Sequence, residues 1–391
     1  MADPLKPLDL IDLEALLSDE ERQVRDLAQR WVRERILPEV EDWYERGEFP
    51  ARELAKELGG QLGFFGMQLD DGDGPIAGPV AYGLVELELE AGDSGLRSFV
   101  SVQSALAMYA IHAFGSDEQR DAWLPRMRAG EAIGCFGLSE ADSGSDPSSM
   151  RTVAKRDGSD WVLSGSKMWI TNGSASDVAI VWANTDDGIR GFVVPCDLPG
   201  FSAPDIHKKL SLRASVTSEL VMNEVRLPAD AILPKVEGLK GPLSCLNEAR
   251  YGIVWGVMGA ARSCFETALE YSKERVQFGK PIAAFQLTQK KLTDMALELN
   301  KGTLLAHHLG RMKEAGRLHP EQVSIGKLNN TREAIKIART SRGILGANGI
   351  TLEYPIMRHM TNLESVITYE GTEEVHTLVI GQALTGERAF V

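Results

Sequence analysis

Apolar residues recur three and four positions apart from about Leu17 to Gly130. In LLSDEERQVRDLAQRWVRERI this spacing predicts an amphipathic helix, with Ser18 as N-cap and Glu21 three positions on completing a capping box. GPVAYGLVELELEAG and EQRDAWLPRMRAG keep the period and end at glycine, the residue that closes helices most readily. From Gly134 the period falls to two. DWVLSGSKMWITNG, SDVAIVWANTDDG, RGFVVPC and SELVMNEVRLP alternate or run apolar between turn clusters, which predicts a small antiparallel β-domain. From about Gly241 three long helical patterns follow, NEARYGIVWGVMGAARSCFETALEYSKERV, FQLTQKKLTDMALELNKGTLLAHHLGRMKEAG and PEQVSIGKLNNTREAIKIARTSRGILG, and helices of that length pack as a bundle. The expected fold class is α+β in three domains: helical over 1–133, β over 134–240 and a helical bundle over 241–391.

Composition agrees with this division. A chain of 391 residues, 43% hydrophobic and 25% charged, can bury more than one core. Its net charge of −14 argues against nucleic acid as a partner, because phosphate binding needs a basic surface. The four cysteines, Cys135, Cys196, Cys245 and Cys264, are scattered without metal spacing, so neither a disulfide framework nor a zinc site is expected, and a cytoplasmic setting fits. The start, MADPLKPLDLIDLEALLSDEE, is acidic and lacks an apolar leader core, so the mature chain is expected to begin near Met1; no window approaches the ~18 apolar residues of a membrane span.

Four stretches carry candidate chemistry. CFGLSEADSGSDPSSM crowds Ser139, Ser143, Ser145, Ser148 and Ser149, with nearby Thr152, around two glycines, which suits a diphosphate or a polar heterocycle edge and equally suits a capped polar loop. In KMWITNG, alternation puts Trp169 and Thr171 on one side of a strand, where an aromatic is ordinarily core. ERVQFGKPIAAFQ carries Arg275 and Gln277 into a break between helices, as a phosphate clamp or as a simple connection. In ITYEGTEEVH, Glu370 is either a base or a solvated acid near the helix capped by Thr372; Glu373 and Glu374 already answer that helix's dipole, which leaves Glu370 needing another task.

Taken together, in this order and spacing, these stretches resemble the acyl-CoA dehydrogenase family from about residue 17 to the end. The resemblance implies a helical N-terminal domain, a central β-domain, a C-terminal four-helix bundle, and FAD held between the β-domain and the bundle. It places Phe136, Leu138, Ser139, Ser145, Trp169 and Thr171 around the flavin and diphosphate. Thr372 and Glu374 are carried over to the cofactor as well. Arg275, Phe278 and Gln286, with Gly346 in the GILGANG turn, match segments that reach the FAD of a neighbouring subunit, which implies a homotetramer. Glu370 matches the base that removes an α-proton while hydride leaves the β-carbon for the flavin.

The acyl chain is suggested by ELEAGDSGLRSFVSVQS, where Glu86, Glu88, Glu90 and Asp93 precede a single cation, Arg97. A guanidinium fork suits a carboxylate, which an apolar fatty-acid pocket does not need; the competing reading is a surface pair between Asp93 and Arg97. The setting looks like the glutaryl-CoA dehydrogenase branch, in which the matching arginine holds the distal carboxylate of glutaryl-CoA. That likeness assigns Arg97, Glu90, Ser98, Ser101, Tyr369, Asn247 and Arg250 to the substrate. It also implies decarboxylation to crotonyl-CoA and transfer of electrons to an electron-transferring flavoprotein. Two departures stand out: Ala141 where the family's turn commonly has proline, expected to soften that loop, and the acidic segment DDGDGPIAGP at the substrate entrance. The alternatives are a dehydrogenase for short straight or branched monocarboxyl acyl-CoA, and a non-catalytic CoA-thioester binding protein.

Overall fold

The computed structural model describes residues 6–70 and 77–390; the start near Met1 and most of the acidic stretch DDGDGPIAGP, at 71–76, lie outside the described residues. Seven α-helices come first: α1 (Asp19–Trp31), α2 (Val40–Arg46), α3 (Ala51–Ala55), α4 (Pro79–Gly92), α5 (Ser94–Ser101), α6 (Tyr109–Phe114) and α7 (Asp117–Arg128). α1 starts at the expected capping box: Ser18 Oγ accepts from Glu21 N at 3.2 Å, and Glu21 Oε2 accepts from Ser18 N at 2.8 Å. α4 is buried on nearly every side, its acids Glu86, Glu88 and Glu90 included. Between α5 and α6 the chain widens into π-helical winding over Val102–Met108, a local strain that often accompanies a functional site.

The strands are β1 (Gly134–Gly137), β2 (Val153–Asp157), β3 (Asp160–Thr171), β4 (Val178–Thr185), β5 (Gly188–Pro195), β6 (Phe201–Ser202) and β7 (Thr217–Leu227). They form one sheet in the order β1-β4-β2-β3-β7-β6, with β5 beside β4. The ladders β2–β3–β7–β6 and β4–β5 are antiparallel as expected, whereas β1 runs parallel to β4. β2 also runs parallel to β4, and since β2 and β3 intervene along the chain between β1 and β4, no hairpin constrains either pair to be antiparallel. The buried amide of Gln103 fixes where β1 begins: Nε2 donates to the carbonyls of Met127 (3.1 Å) and Ala132 (2.9 Å), and Oε1 accepts from Gly134 N (2.7 Å).

The helices α8 (Lys240–Glu274), α9 (Gln286–Glu314) and α10 (Pro320–Leu345) are followed by α11 (Ile356–Val366) and α12 (Glu373–Thr385). A short hairpin, β8 (Val276–Gln277) with β9 (Lys280–Pro281), joins α8 to α9. α8 packs on α4 so closely that a Cβ at Gly259 would stand 1.8 Å from the Leu87 carbonyl. This contact joins the first helical group to the bundle in a single apolar core, while a second core around Trp161, Phe192, Leu220 and Val225 belongs to the sheet.

Candidate active site

Glu370 lies on the turn between α11 and α12 at φ +53°, a left-handed conformation that costs a residue with a side chain roughly 1–3 kcal/mol, and Gly371 follows at φ +93°. Two cations, the buried Lys327 and the half-buried Arg250, hold the turn. Lys327 Nζ, from α10, donates to the carbonyls of Tyr369 (2.5 Å) and Gly371 (2.6 Å), and Arg250 Nε, from α8, donates to the carbonyl between them at 2.7 Å. Three successive carbonyls, those of Tyr369, Glu370 and Gly371, are thereby bonded. Its Oε2 is buried without a hydrogen-bond partner, and among the described residues no acceptor meets its N–H.

Burial raises the Glu370 carboxyl above the usual range, while Arg97, Lys327 and Arg250 oppose the rise. Burial also draws the Lys327 ammonium down to about 7, against the pull of Glu370. His376 lies beside the turn with its Nδ1 on Ser324 Oγ at 3.0 Å, and burial lowers it to about 3, so it stays neutral. The turn thus holds an acid of weakened acidity, which is what a proton acceptor near neutral pH requires.

Arg97 is 1% exposed, which removes the surface-pair reading. Its Nε donates to Glu90 Oε2 at 2.7 Å, and its Nη2 donates to the Tyr369 hydroxyl. Asp93 is occupied elsewhere, capping α5 through Gly95 N (2.6 Å) and pairing with Arg358 Nη1 (2.5 Å) and Asn362 Nδ2 (2.9 Å). Ser98 Oγ stands 3.2 Å from the Tyr369 hydroxyl, and Ser101 Oγ is buried without a partner. Glu90, Arg97, Ser98, Tyr369 and Glu370 therefore form one contiguous set. Asn247 Oδ1 accepts from Arg250 Nη1 at 3.3 Å, and Arg250 Nε donates to the Glu370 carbonyl, which puts both residues beside the Glu370 turn.

The polar loop after β1 sorts its own hydroxyls. Ser143, Ser148 and Ser149 bond around Asp146, and Thr152 Oγ1 donates to Glu140 at 2.6 Å, while Ser139 and Ser145 make no side-chain bond among the described residues. Across Ala141, Glu140 and Ser143 exchange backbone bonds at 3.0 and 3.2 Å. Buried Lys167 also donates to Glu140 Oε1 at 2.8 Å. Burial works against the ionised Glu140, yet bonds from Lys167, Thr152 and two backbone N–H groups hold it down to about 2.

Trp169 departs from the alternation expected of it. The β3–β7 register shifts between Lys167 and Ile170, and the bulged Trp169, at φ +65°, stands 62% exposed. Its open face, the free hydroxyls of Ser139 and Ser145, the half-buried Thr171 and the buried Phe136 and Leu138 fit a flat heterocycle with a phosphate-bearing tail. Thr372 Oγ1 caps α12 by accepting from Val375 N at 3.3 Å, and Glu374 is exposed in the first turn.

Arg275, Phe278 and Gln286 are not brought to this group. Arg275 is 25 residues beyond Arg250 on or just past α8, roughly 37 Å at the helical rise, and Phe278, 94% exposed, tips the hairpin there. Gly346 ends α10 exposed at φ +61°. Reading the sequence alone did not single out Lys327, Glu140, Lys167 or His376.

Three family descriptions match the chain in succession: acyl-CoA dehydrogenase N-terminal domain over residues 18–131, middle domain over 135–225 and C-terminal domain over 237–385. A glutaryl-CoA dehydrogenase of Desulfococcus multivorans is 32% identical over 383 residues, 95% of this chain and 98% of that protein. The crystal structure of a glutaryl-CoA dehydrogenase from Mycobacterium smegmatis superposes with TM-score 0.97 at 65% identity, covering 99% of this chain and 100% of that one. A second glutaryl-CoA dehydrogenase structure from that organism, in complex with FADH2, gives TM-score 0.97 at 59% identity, with 99% and 100% covered. The chain belongs to the acyl-CoA dehydrogenase family, enzymes that use FAD to oxidise acyl-CoA thioesters.

Proposed function

We propose that this acyl-CoA dehydrogenase oxidises glutaryl-CoA and decarboxylates the product to crotonyl-CoA and CO2. The observation that carries the reading is the burial of Arg97 next to the Glu370 turn. A buried cation is costly unless paired, and a pocket for a purely apolar acyl chain gains nothing from one, whereas a carboxylate at the far end of the chain uses it directly. The similarity to three glutaryl-CoA dehydrogenases supports the same substrate.

In this reading Glu370 takes the α-proton. Its left-handed backbone leaves its own N–H open toward the thioester oxygen, where a donor stabilises the enolate that forms. Bound FAD accepts the β-hydride. Arg97, with Glu90, Ser98 and Tyr369 around it, orients the distal carboxylate, and protonated Glu370 returns its proton to the γ-carbon after CO2 leaves. Ser101 and Asn247 border the acyl and pantetheine portions, while Lys327 and Arg250 keep the turn in place. The side chains of Phe136, Leu138, Ser139, Ser145, Trp169, Thr171, Thr372 and Glu374 serve the FAD of their own subunit. Arg275, Phe278, Gln286 and Gly346 serve that of a neighbour in a homotetramer, which their distance from Arg250 and the exposure of Phe278 favour. An electron-transferring flavoprotein takes the electrons onward.

The test compares glutaryl-CoA with butyryl-CoA, using an artificial electron acceptor and trapping CO2. One CO2 per glutaryl-CoA oxidised, with butyryl-CoA a poor substrate, is expected. Equal turnover of both without CO2 returns the protein to a monocarboxyl acyl-CoA specificity.

A further inference from the structure

We propose that Glu86 is a specificity-determining residue: as a neutral acid beside Arg97 it leaves the guanidinium's charge to a carboxylate on the acyl chain, and once ionised it opposes that carboxylate. This rests on the glutaryl-CoA reading above and names the group that sets the pH range over which a dicarboxyl chain is preferred.

Glu86 lies on α4 one turn before Glu90 and is 0% exposed. Neither carboxyl oxygen has a partner in good hydrogen-bond geometry; the Tyr82 hydroxyl one turn back lies near enough to favour the ionised form, and Oε2 stands 4.0 Å from Arg97 Nε. Glu90 already takes that N–H at 2.7 Å and accepts from Ser94 Oγ at 2.8 Å. Two carboxyl groups are thus aimed at one guanidinium, and only one is bonded to it. The α8 helix makes room for both. A Cβ at Gly252 would stand 3.2 Å from Glu86 Oε2, and one at Gly256 would stand 2.2 Å from Glu90 Oε2. The titratable groups that face Glu86 are Tyr82 and Glu90 on its own helix, Arg97 on α5 and Glu370 from the turn before α12. Lys327 and Arg250 surround Glu370 and its turn, and α8 presents glycine.

Neighbouring carboxyl groups that share one cation in a dry site do not both ionise at neutral pH. Glu90 holds the hydrogen bonds to Arg97 and Ser94, and burial pushes the Glu86 carboxyl up to about 8 against the pull of Arg97 and the Tyr82 hydroxyl. With Glu86 neutral, Arg97 and Glu90 sum to zero and an arriving carboxylate adds a single negative charge. With Glu86 ionised, the same pocket must hold a second one. A monocarboxyl acyl chain brings no charge there and does not sense the difference.

The test measures KM for glutaryl-CoA and butyryl-CoA on the FAD-loaded enzyme from about pH 7 to about 10, the range that brackets such a titration. The ratio of the two cancels groups at the thioester end, Glu370 and Lys327 among them. In the wild-type enzyme the ratio KM(glutaryl)/KM(butyryl) is expected to climb above about pH 8, toward tenfold per pH unit, and in Glu86→Gln it should stay level. Difference infrared spectra provide a readout independent of turnover: the carbonyl band of a protonated acid, lost in Glu86→Gln, should fade in the wild type over the same pH range. A level ratio in the wild type, a climb that persists in Glu86→Gln, or absence of the band at pH 7 overturns the role. Should the variant fail to fold, the wild-type ratio and band decide. If glutaryl-CoA is not oxidised at any pH while butyryl-CoA is, the substrate reading itself falls and takes this role with it; if glutaryl-CoA is oxidised and the ratio is level, only the assignment to Glu86 fails.

Discussion

Arg97 has Glu90 on its Nε and the Tyr369 hydroxyl on its Nη2, so its removal does two separable things. In Arg97→Met the distal carboxylate of glutaryl-CoA loses its partner, and KM for that substrate should rise at least tenfold more than for butyryl-CoA in parallel assays. Glu90 is also left as a buried, unpaired acid, which costs about 3–5 kcal/mol and should lower the melting temperature. Adding Glu90→Gln should restore stability without restoring glutaryl-CoA selectivity; equal loss for both substrates returns Arg97 to a purely structural part. Glu370→Gln keeps shape and removes the base, so the purified protein should stay yellow and bind acyl-CoA with turnover reduced ~10²- to 10⁴-fold. At this scale the sequence was informative about roles that depend on near neighbours. Thr372 caps α12 as its position in YEGTEEVH suggests, because a cap needs only a hydroxyl and an N–H three residues on. It was silent about Lys327, and about Arg250 as a support of the turn, since they lie 42 to 44 and 120 residues from the carbonyls they bind.

The turn between α11 and α12 is the element on which the chemistry depends, and it is held by charge rather than by apolar packing. Removing Lys327 Nζ frees two of three pinned carbonyls and withdraws a positive charge that lowers the Glu370 carboxyl. Lys327→Met should therefore lower kcat with a smaller change in KM. Its effect on pH dependence has a definite sign. Catalysis needs ionised Glu370, the lysine favours that form, and so the acid limb of kcat/KM should move to higher pH in the variant. A fall in kcat with an unmoved acid limb would mean that the lysine acts on the backbone alone. The bulge at Trp169 shows the limit of periodicity at the same scale: β3 was readable as a strand, but one shifted register turned an expected core aromatic outward.

Across the whole molecule, exposed apolar groups and buried charges set two further expectations. Phe278 is 94% exposed at the tip of the β8–β9 hairpin, and the proposed function assigns it to a neighbouring subunit. Phe278→Asp should lower the mass seen by light scattering and release flavin from the protein; an intact, fully yellow tetramer would argue against that contact. Glu86 bears on stability as well as specificity. Its folded-state carboxyl is raised from 4.5 to about 8, so its contribution is complete below pH 4.5 and is lost as pH rises toward 8. Glu86→Gln should accordingly unfold at higher temperature than the wild type at pH 8, with the gap closing toward pH 4.5 in calorimetry. The sequence by itself determined the succession of helical, strand and helical segments, the caps and the three long helices, because these follow from spacing of apolar residues and bonds within a few positions. It also presented Glu370 and Arg97 as candidates, through the type and isolation of their charges. Only the tertiary structure decided that Arg97 faces Glu90 and Tyr369 instead of Asp93, that two cations clamp the turn, and that Glu86 is buried beside Arg97. Those outcomes depend on which helices approach closely enough to exclude water, and on glycines of α8 meeting α4, a pairing between segments more than 150 residues apart that no local pattern encodes.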